Sequence, residues 1–194
     1  VEFLDGQFRV IGTDRSIDWF ELAGRTDAGT LEVIRANEMQ TPVFPNGCHI
    51  CEVELDPETG ATKLTRYTAI DDVGRAINPM IVHGQTHGAV AQGLGQAMLE
   101  SCVVDPGTGQ VLTGSLMDYG LPRAADVPSF NVALNEVLSP TNPLGIKAGG
   151  EGGTTVSPVA YTNAVLDALK DFGVSDIPMP LTPHRIWRAI RGTA

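Results

Sequence analysis

One carboxylate stands among four glycines in Gly149-Gly150-Glu151-Gly152-Gly153, directly after Gly145-Ile146-Lys147-Ala148. Glycine removes side-chain bulk and widens the accessible backbone angles, so a large ligand can approach the main chain there. A glutamate is ordinarily ionised at neutral pH. Held at such an opening, Glu151 has the chemistry of a general base: it can accept a proton from a group brought against the backbone. The alternative is a surface loop in which Glu151 favours the start of the following helix through its charge.

Other reactive side chains argue for less. Cys48-His49-Ile50-Cys51 spells CxxC, but no second pair completes a four-ligand metal site. Cys51, Val53 and Leu55 alternate with Glu52, Glu54 and Asp56, a half-buried strand pattern. On a strand Cys48 and Cys51 point to opposite faces, so neither a shared metal nor an easy disulfide is expected. The spacings of His49, His83 and His87 do not make a zinc shell, and no metal ligand is assigned. Asp71 and Asp72 are adjacent, point differently, and read as loop or cap residues. By local pattern alone, Gln85 is a polar residue near a helix start.

The chain has 194 residues, 42% hydrophobic and 19% charged, enough for a real core. Its 22 glycines and 13 prolines imply many turns. With 23 acidic and 13 basic residues the formal charge is −10, which does not attract nucleic acid or an anionic bilayer. Arg185, Arg188 and Arg191 near the end read as a solvated helix face. Three cysteines form no disulfide framework and mildly favour a reducing compartment. No segment approaches the roughly 20 apolar residues needed to cross a membrane, and no leader pattern is expected. The opening Val1-Glu2-Phe3 lacks an initiator methionine, as in a processed product or a separately encoded portion of something larger.

The elements that must position Glu151 follow from periodicity. Residues 7–11 predict a strand, 17–23 a helix capped by Ser16, and 32–36 another strand. Strands at 49–56 and 63–70 flank the turn Asp56-Pro57-Glu58-Thr59-Gly60 and predict an antiparallel hairpin. Val90, Leu94, Ala97 and Met98 give a helical stripe through residues 82–100, where Gly84, Gly88, Gly93 and Gly95 demand a close-packing reason. A strand is predicted over 131–136. Ser157-Pro158 predicts a helix start, with Ala160, Ala164, Leu166, Ala168 and Leu169 on its apolar side and Gly173 at its close. A last short helix covers about 184–191. The mixture predicts one α+β or α/β unit across residues 1–194.

In order and spacing, several segments together resemble one family. They are Phe44-Pro45-Asn46-Gly47-Cys48-His49, Val53-Glu54-Leu55-Asp56-Pro57-Glu58-Thr59-Gly60, and Asp72-Val73-Gly74-Arg75-Ala76-Ile77-Asn78-Pro79. Gly84-Gln85-Thr86-His87-Gly88 through Gln96 and Asn142-Pro143-Leu144-Gly145-Ile146-Lys147 through Glu151 complete the set. The chain resembles the carboxy-terminal part of the molybdenum-binding large subunit of the xanthine dehydrogenase and aldehyde oxidase family, over almost all its length. The implied fold is α+β, mixed sheets and helices forming the C-terminal cofactor-binding part of a larger split subunit.

The resemblance implies a molybdenum-molybdopterin cofactor, in its cytosine dinucleotide form, shared with a partner N-terminal molybdenum-domain chain. It implies 2Fe-2S on an iron-sulfur subunit and FAD on a flavin subunit, since no cysteine array here would hold a cluster. The family reaction hydroxylates an aldehyde or N-heterocyclic carbon of a small-molecule substrate, with water supplying the oxygen. Glu151 matches the family's general base. Gln85 matches the glutamine that contacts the pterin, and its amide both donates and accepts. Gly84 would allow close approach, and Gly149 and Gly150 would shape the backbone that presents Glu151. Lys147 would neutralise cofactor charge, with a structural salt bridge as the alternative. The competing reading is a noncatalytic cofactor-insertion or assembly module of the same fold. A cytoplasmic location is expected, or a periplasmic one if a partner carries an export signal.

Overall fold

The long hairpin is built as its alternation requires. In the computed structural model, which describes residues 1–36 and 41–192, strand β4 (Asn46–Leu55) pairs antiparallel with β5 (Thr62–Asp72). Cys51, Val53 and Leu55 face the core while Glu52 and Glu54 face solvent. A register shift between Glu52 and Val53 marks a bulge. The Asp56 carboxylate accepts from Glu58 N–H (3.0 Å) and the Thr59 hydroxyl (2.7 Å), which closes the turn. Strand β5 runs two residues past the expected end: Asp71 and Asp72 pair with Gly47 and Asn46.

The chain divides into two compact units, Val1–Glu38 and Met39–Ala194, where one unit was expected. In the first, β1 (Glu2–Leu4), β2 (Gln7–Arg9) and β3 (Ser16–Asp18) form an antiparallel meander ahead of α1 (Trp19–Gly24). Ser16 therefore lies in a strand. The helix cap is Asp18, whose carboxylate accepts from Glu21 N–H at 2.7 Å. Trp19 meets Phe3 and Phe8 edge to face and the two phenylalanine rings are tilted to one another, with centroids 4.7–5.3 Å apart. Residues 32–36 form no strand.

In the second unit β6 (Asn131–Leu134), two residues shorter than expected, adds to β5 in parallel. A parallel neighbour needs a crossover, and α2 (Pro79–Met98), capped by Asn78, lies within it. Helix α3 spans Gly152–Leu169. It starts five residues before the expected Ser157, so Pro158 sits inside it. Tyr161, Val165 and Leu169 form its buried stripe, and the expected alanines flank that stripe half-buried. The core joins these to Leu64, Tyr67, Val90, Leu94 and Ala97. The Tyr161 hydroxyl meets Thr62 Oγ1 at 2.5 Å, which satisfies its one buried polar atom.

Gly93 and Gly153 supply the close-packing reason. A side chain at Gly93 would collide with Ser157 Oγ, and a Cβ at Gly153 would lie 2.8 Å from Ala89 Cβ and 2.9 Å from Val90 N. Pro158 has no N–H for the Thr154 carbonyl, and that carbonyl faces Gly93. Helices α2 and α3 can therefore touch along their backbones. Gly84 and Gly88 have open space around them instead. After a 3₁₀ turn (Lys170–Phe172) and Gly173, α4 (Pro183–Ile190) buries Ile186. Its arginines are not merely solvated: the Arg185 guanidinium donates to the carbonyls of Pro178, Met179 and Pro180 (2.8–3.3 Å). Arg191 lies 3.7 Å from Glu58 and over the Trp187 ring.

Candidate functional site

Glu151 occupies the junction between the glycine loop and α3. It is the N-cap residue, yet its side chain makes no capping hydrogen bond. The carboxylate is exposed and lines a cavity of about 570 Å³. Gly149, Gly150, Glu151 and Gly152 line it, with Thr155 and Val156 from the first turns of α3. Val43, Phe44, Pro45 and Asn46 line it as well, with Asp71 from the end of β5 and Val73 just beyond it. The first N–H groups of α3 have no intrahelical acceptors.

The fold brings Gln85 to this loop from 65 residues away: its Nε2 donates to the Gly150 carbonyl at 3.3 Å. Gly84 is exposed beside it. Gly149 lies so close to Val73 that a Cβ there would be 2.9 Å from Val73 Cγ1. Glu151, Gly149, Gly150 and Gln85 are thus gathered at one place.

Lys147 is not. Its ammonium donates to Asp72 Oδ2 at 2.5 Å, and both side chains are about nine-tenths buried. The salt bridge that the sequence left as an alternative is present, and Lys147 does not line the cavity. Asp72 Oδ1 also accepts from Gly74 N–H (2.8 Å) and Val137 N–H (3.0 Å). Burial works against ionisation of this carboxyl, but the Lys147 bond and the two backbone donors outweigh it and hold its pKa below the usual range.

The adjacent acid serves a separate network, on the other face as a strand requires. His49, its side chain 1% exposed, places Nδ1 2.8 Å from the Tyr67 hydroxyl and Nε2 3.0 Å from Asp71 Oδ1. In a neutral ring, Nε2–H donates to the carboxylate and the phenol donates to Nδ1. Gly47 leaves room for that carboxylate, since a side chain there would strike Asp71 Oδ1. Burial, aided by Cys51 and Asp71, pushes the Tyr67 phenol up. Among the described residues no group of three or more His, Cys, Asp and Glu is placed to hold a metal ion. Asp71 and Asp72, expected as loop or cap residues, instead end β5. The available signal was two acids continuing an alternating strand, where burial is costly unless each finds its own partners.

Comparison with known proteins gives the family of the chain. The family model for the molybdopterin cofactor-binding domain matches residues 1–128. The chain is 35% identical to the 6-hydroxypseudooxynicotine dehydrogenase complex subunit gamma of Paenarthrobacter nicotinovorans, over 99% of this chain and 25% of that protein. It is 39% identical to the nicotine 6-hydroxylase large subunit of the same organism, over 84% of this chain and 20% of that protein. Among solved structures, quinoline 2-oxidoreductase from Pseudomonas putida 86 superposes with a TM-score of 0.73 at 44% identity. That match covers 76% of this chain and 19% of that chain. The chain therefore spans about a quarter or less of the length of the curated relatives it matches. It belongs to the molybdopterin cofactor-binding domain family and is similar to portions of molybdenum hydroxylase large subunits.

Proposed function

We propose that this chain supplies one wall of the active site of a molybdenum hydroxylase, with Glu151 as the general base. The observation that carries the reading is the uncommitted Glu151 carboxylate at the edge of a cavity, on a glycine loop that Gln85 holds from α2.

The residues fit a large anionic cofactor. A cavity of about 570 Å³ is of ligand-pocket size, and its glycine backbone admits close approach. The first N–H groups of α3 suit negative charge. When bound, the molybdenum-molybdopterin group supplies Lewis acidity and redox capacity. In this reading Gln85, already donating to Gly150 through Nε2, keeps its side-chain oxygen for a pterin N–H, while Gly84, Gly149 and Gly150 admit the ring system. Glu151 takes the proton from the oxygen that attacks the substrate carbon and orients that carbon beside it. Val43, Phe44, Val73 and Val156 give the cavity apolar walls that limit water. Lys147 contributes through the loop's shape.

The substrate is an aldehyde or an N-heterocyclic carbon, and the quinoline and nicotine enzymes among the relatives support the heterocycle. The assembly comprises an N-terminal molybdenum-domain portion, an iron-sulfur subunit and a flavin subunit, with the cofactor as the cytosine dinucleotide. Subunit designations among the relatives support such a complex. The free thiols of Cys48, Cys51 and Cys102 suit a cytoplasmic setting.

Glu151→Gln in the purified complex is expected to retain molybdenum, measured by elemental mass spectrometry, and to lose about 10²-fold or more in turnover. Near-normal turnover at full molybdenum content would overturn the assignment.

A further inference from the structure

A loop of glycines has the largest conformational entropy to lose on ordering, and no side chains with which to hold itself. Between Lys147 and Glu151 stand only Ala148, Gly149 and Gly150. The position of the Glu151 carboxylate must therefore be set by anchors at either end. On the α2 side the anchor is the Gln85 bond to the Gly150 carbonyl. On the sheet side Lys147 N–H donates to the Val73 carbonyl at 2.8 Å, and Gly74 bridges to Ile146. The Lys147 ammonium meanwhile reaches Asp72.

We propose that Asp72 is a positioning residue for the reaction: by gathering Lys147, Gly74 and Val137 on one buried carboxylate, it locks the start of the glycine loop to the end of β5 and so fixes where Glu151 stands. The inference rests on the reading of Glu151 as the base. Three geometric facts support it. The carboxylate spends both oxygens on backbone or loop partners and none on the cavity. Its three partners come from separate stretches of chain that converge at the loop. Lys147 is the last residue before Glu151 with a charged side chain, and its ammonium is paired with Asp72 in a nearly buried position. A buried charge stripped of its partner is strongly unfavourable, so the pair acts as a unit.

The test uses the holoenzyme complex with Asp72→Asn, Lys147→Met and the double variant. Lys147→Met is the gentler probe, because Asp72 keeps its two backbone bonds. The readouts are molybdenum content, kcat and KM separately, and hydrogen exchange of amides 145–152. Each single variant is expected to speed exchange in that segment and to lower kcat about tenfold or more, with molybdenum retained and KM little changed. The double variant is expected to be no worse than the worse single one, because both remove the same link. Additive losses, or loss of molybdenum in Lys147→Met alone, would assign Lys147 to the cofactor and overturn the proposal. Faster exchange with unchanged kcat would overturn it as well. If Glu151→Gln kept full turnover, the base would be misassigned. The exchange and additivity readouts do not depend on that result, so the two failures are separable.

Discussion

At the scale of single residues, this protein separates an uncommitted carboxylate from groups that are spent. Glu151 reaches the cavity without a capping bond, whereas His49, Tyr67, Asp71, Asp72 and Lys147 are tied to one another in two buried sets. Cys51 belongs with the spent groups. Burial, with a smaller contribution from the neighbouring Glu52 charge, pushes its thiol up to about 12 from an ordinary 9.0. The sign follows from which state holds the proton. Above the ordinary value the unfolded chain releases it and the folded chain keeps it. The stability from this group is thus complete below 9.0 and is lost as pH rises toward 12. Only the thiolate is nucleophilic. Native protein treated with iodoacetamide near pH 9 should leave Cys51 unmodified, and urea unfolding should release it to labelling, as read by peptide mass spectrometry. Labelling of Cys51 in the folded chain at the unfolded rate would contradict its burial.

At the scale of elements, the site depends on two helices approaching closer than side chains normally permit. Gly153 stands two residues after Glu151 and against Ala89, Val90 N and the Thr86 carbonyl. Two of these three atoms are backbone, so a side chain there cannot be accommodated by rotamer changes alone. Gly153→Val is expected to push α3 away from α2, cost about 1–3 kcal/mol as overpacking does, and carry Glu151 with it. A lower denaturation midpoint with faster exchange at Gln85 and Gly150 would record that displacement; an unchanged midpoint would mean the crossing is looser than its distances imply. The hairpin β4–β5 was legible because alternation and an Asp-Pro-Glu-Thr-Gly turn are local signals. The start of α3 was not. Ser157-Pro158 carries the local marks of a cap, but the helix gains a turn and more upstream because Gly153 can lie against α2. Ser157 Oγ ends buried without a hydrogen-bond partner, which no local rule would favour.

At the scale of the whole molecule, much apolar surface faces outward. Ile77 just before α2 and Met80 and Ile81 in its first turn, with Leu116 and Met117 in the following loop, are 62–93% exposed. Such exposure fits a portion of a larger subunit, whose remainder would cover it. The isolated chain should self-associate with rising concentration in sedimentation experiments and bind a hydrophobic dye; in the intact complex residues 77–81 should be protected from exchange. Clean monomeric behaviour at high concentration would count against that arrangement. The amino-acid sequence by itself determined the α+β composition, the hairpin, the helical stripe of α2, and the pairing of a carboxylate with a glycine-rich approach. Each is written in neighbouring residues, through periodicity, turn chemistry or motif order. Tertiary structure alone decided which polar groups meet: Gln85 with Gly150, His49 with Asp71, and Lys147 with Asp72. These partners lie 22–75 residues apart, and no local pattern encodes them. Their meeting depends on how closely α2 and α3 pack and on how far β5 extends, and that is what sets Lys147 against Asp72, a pairing the sequence offered only as one of two readings.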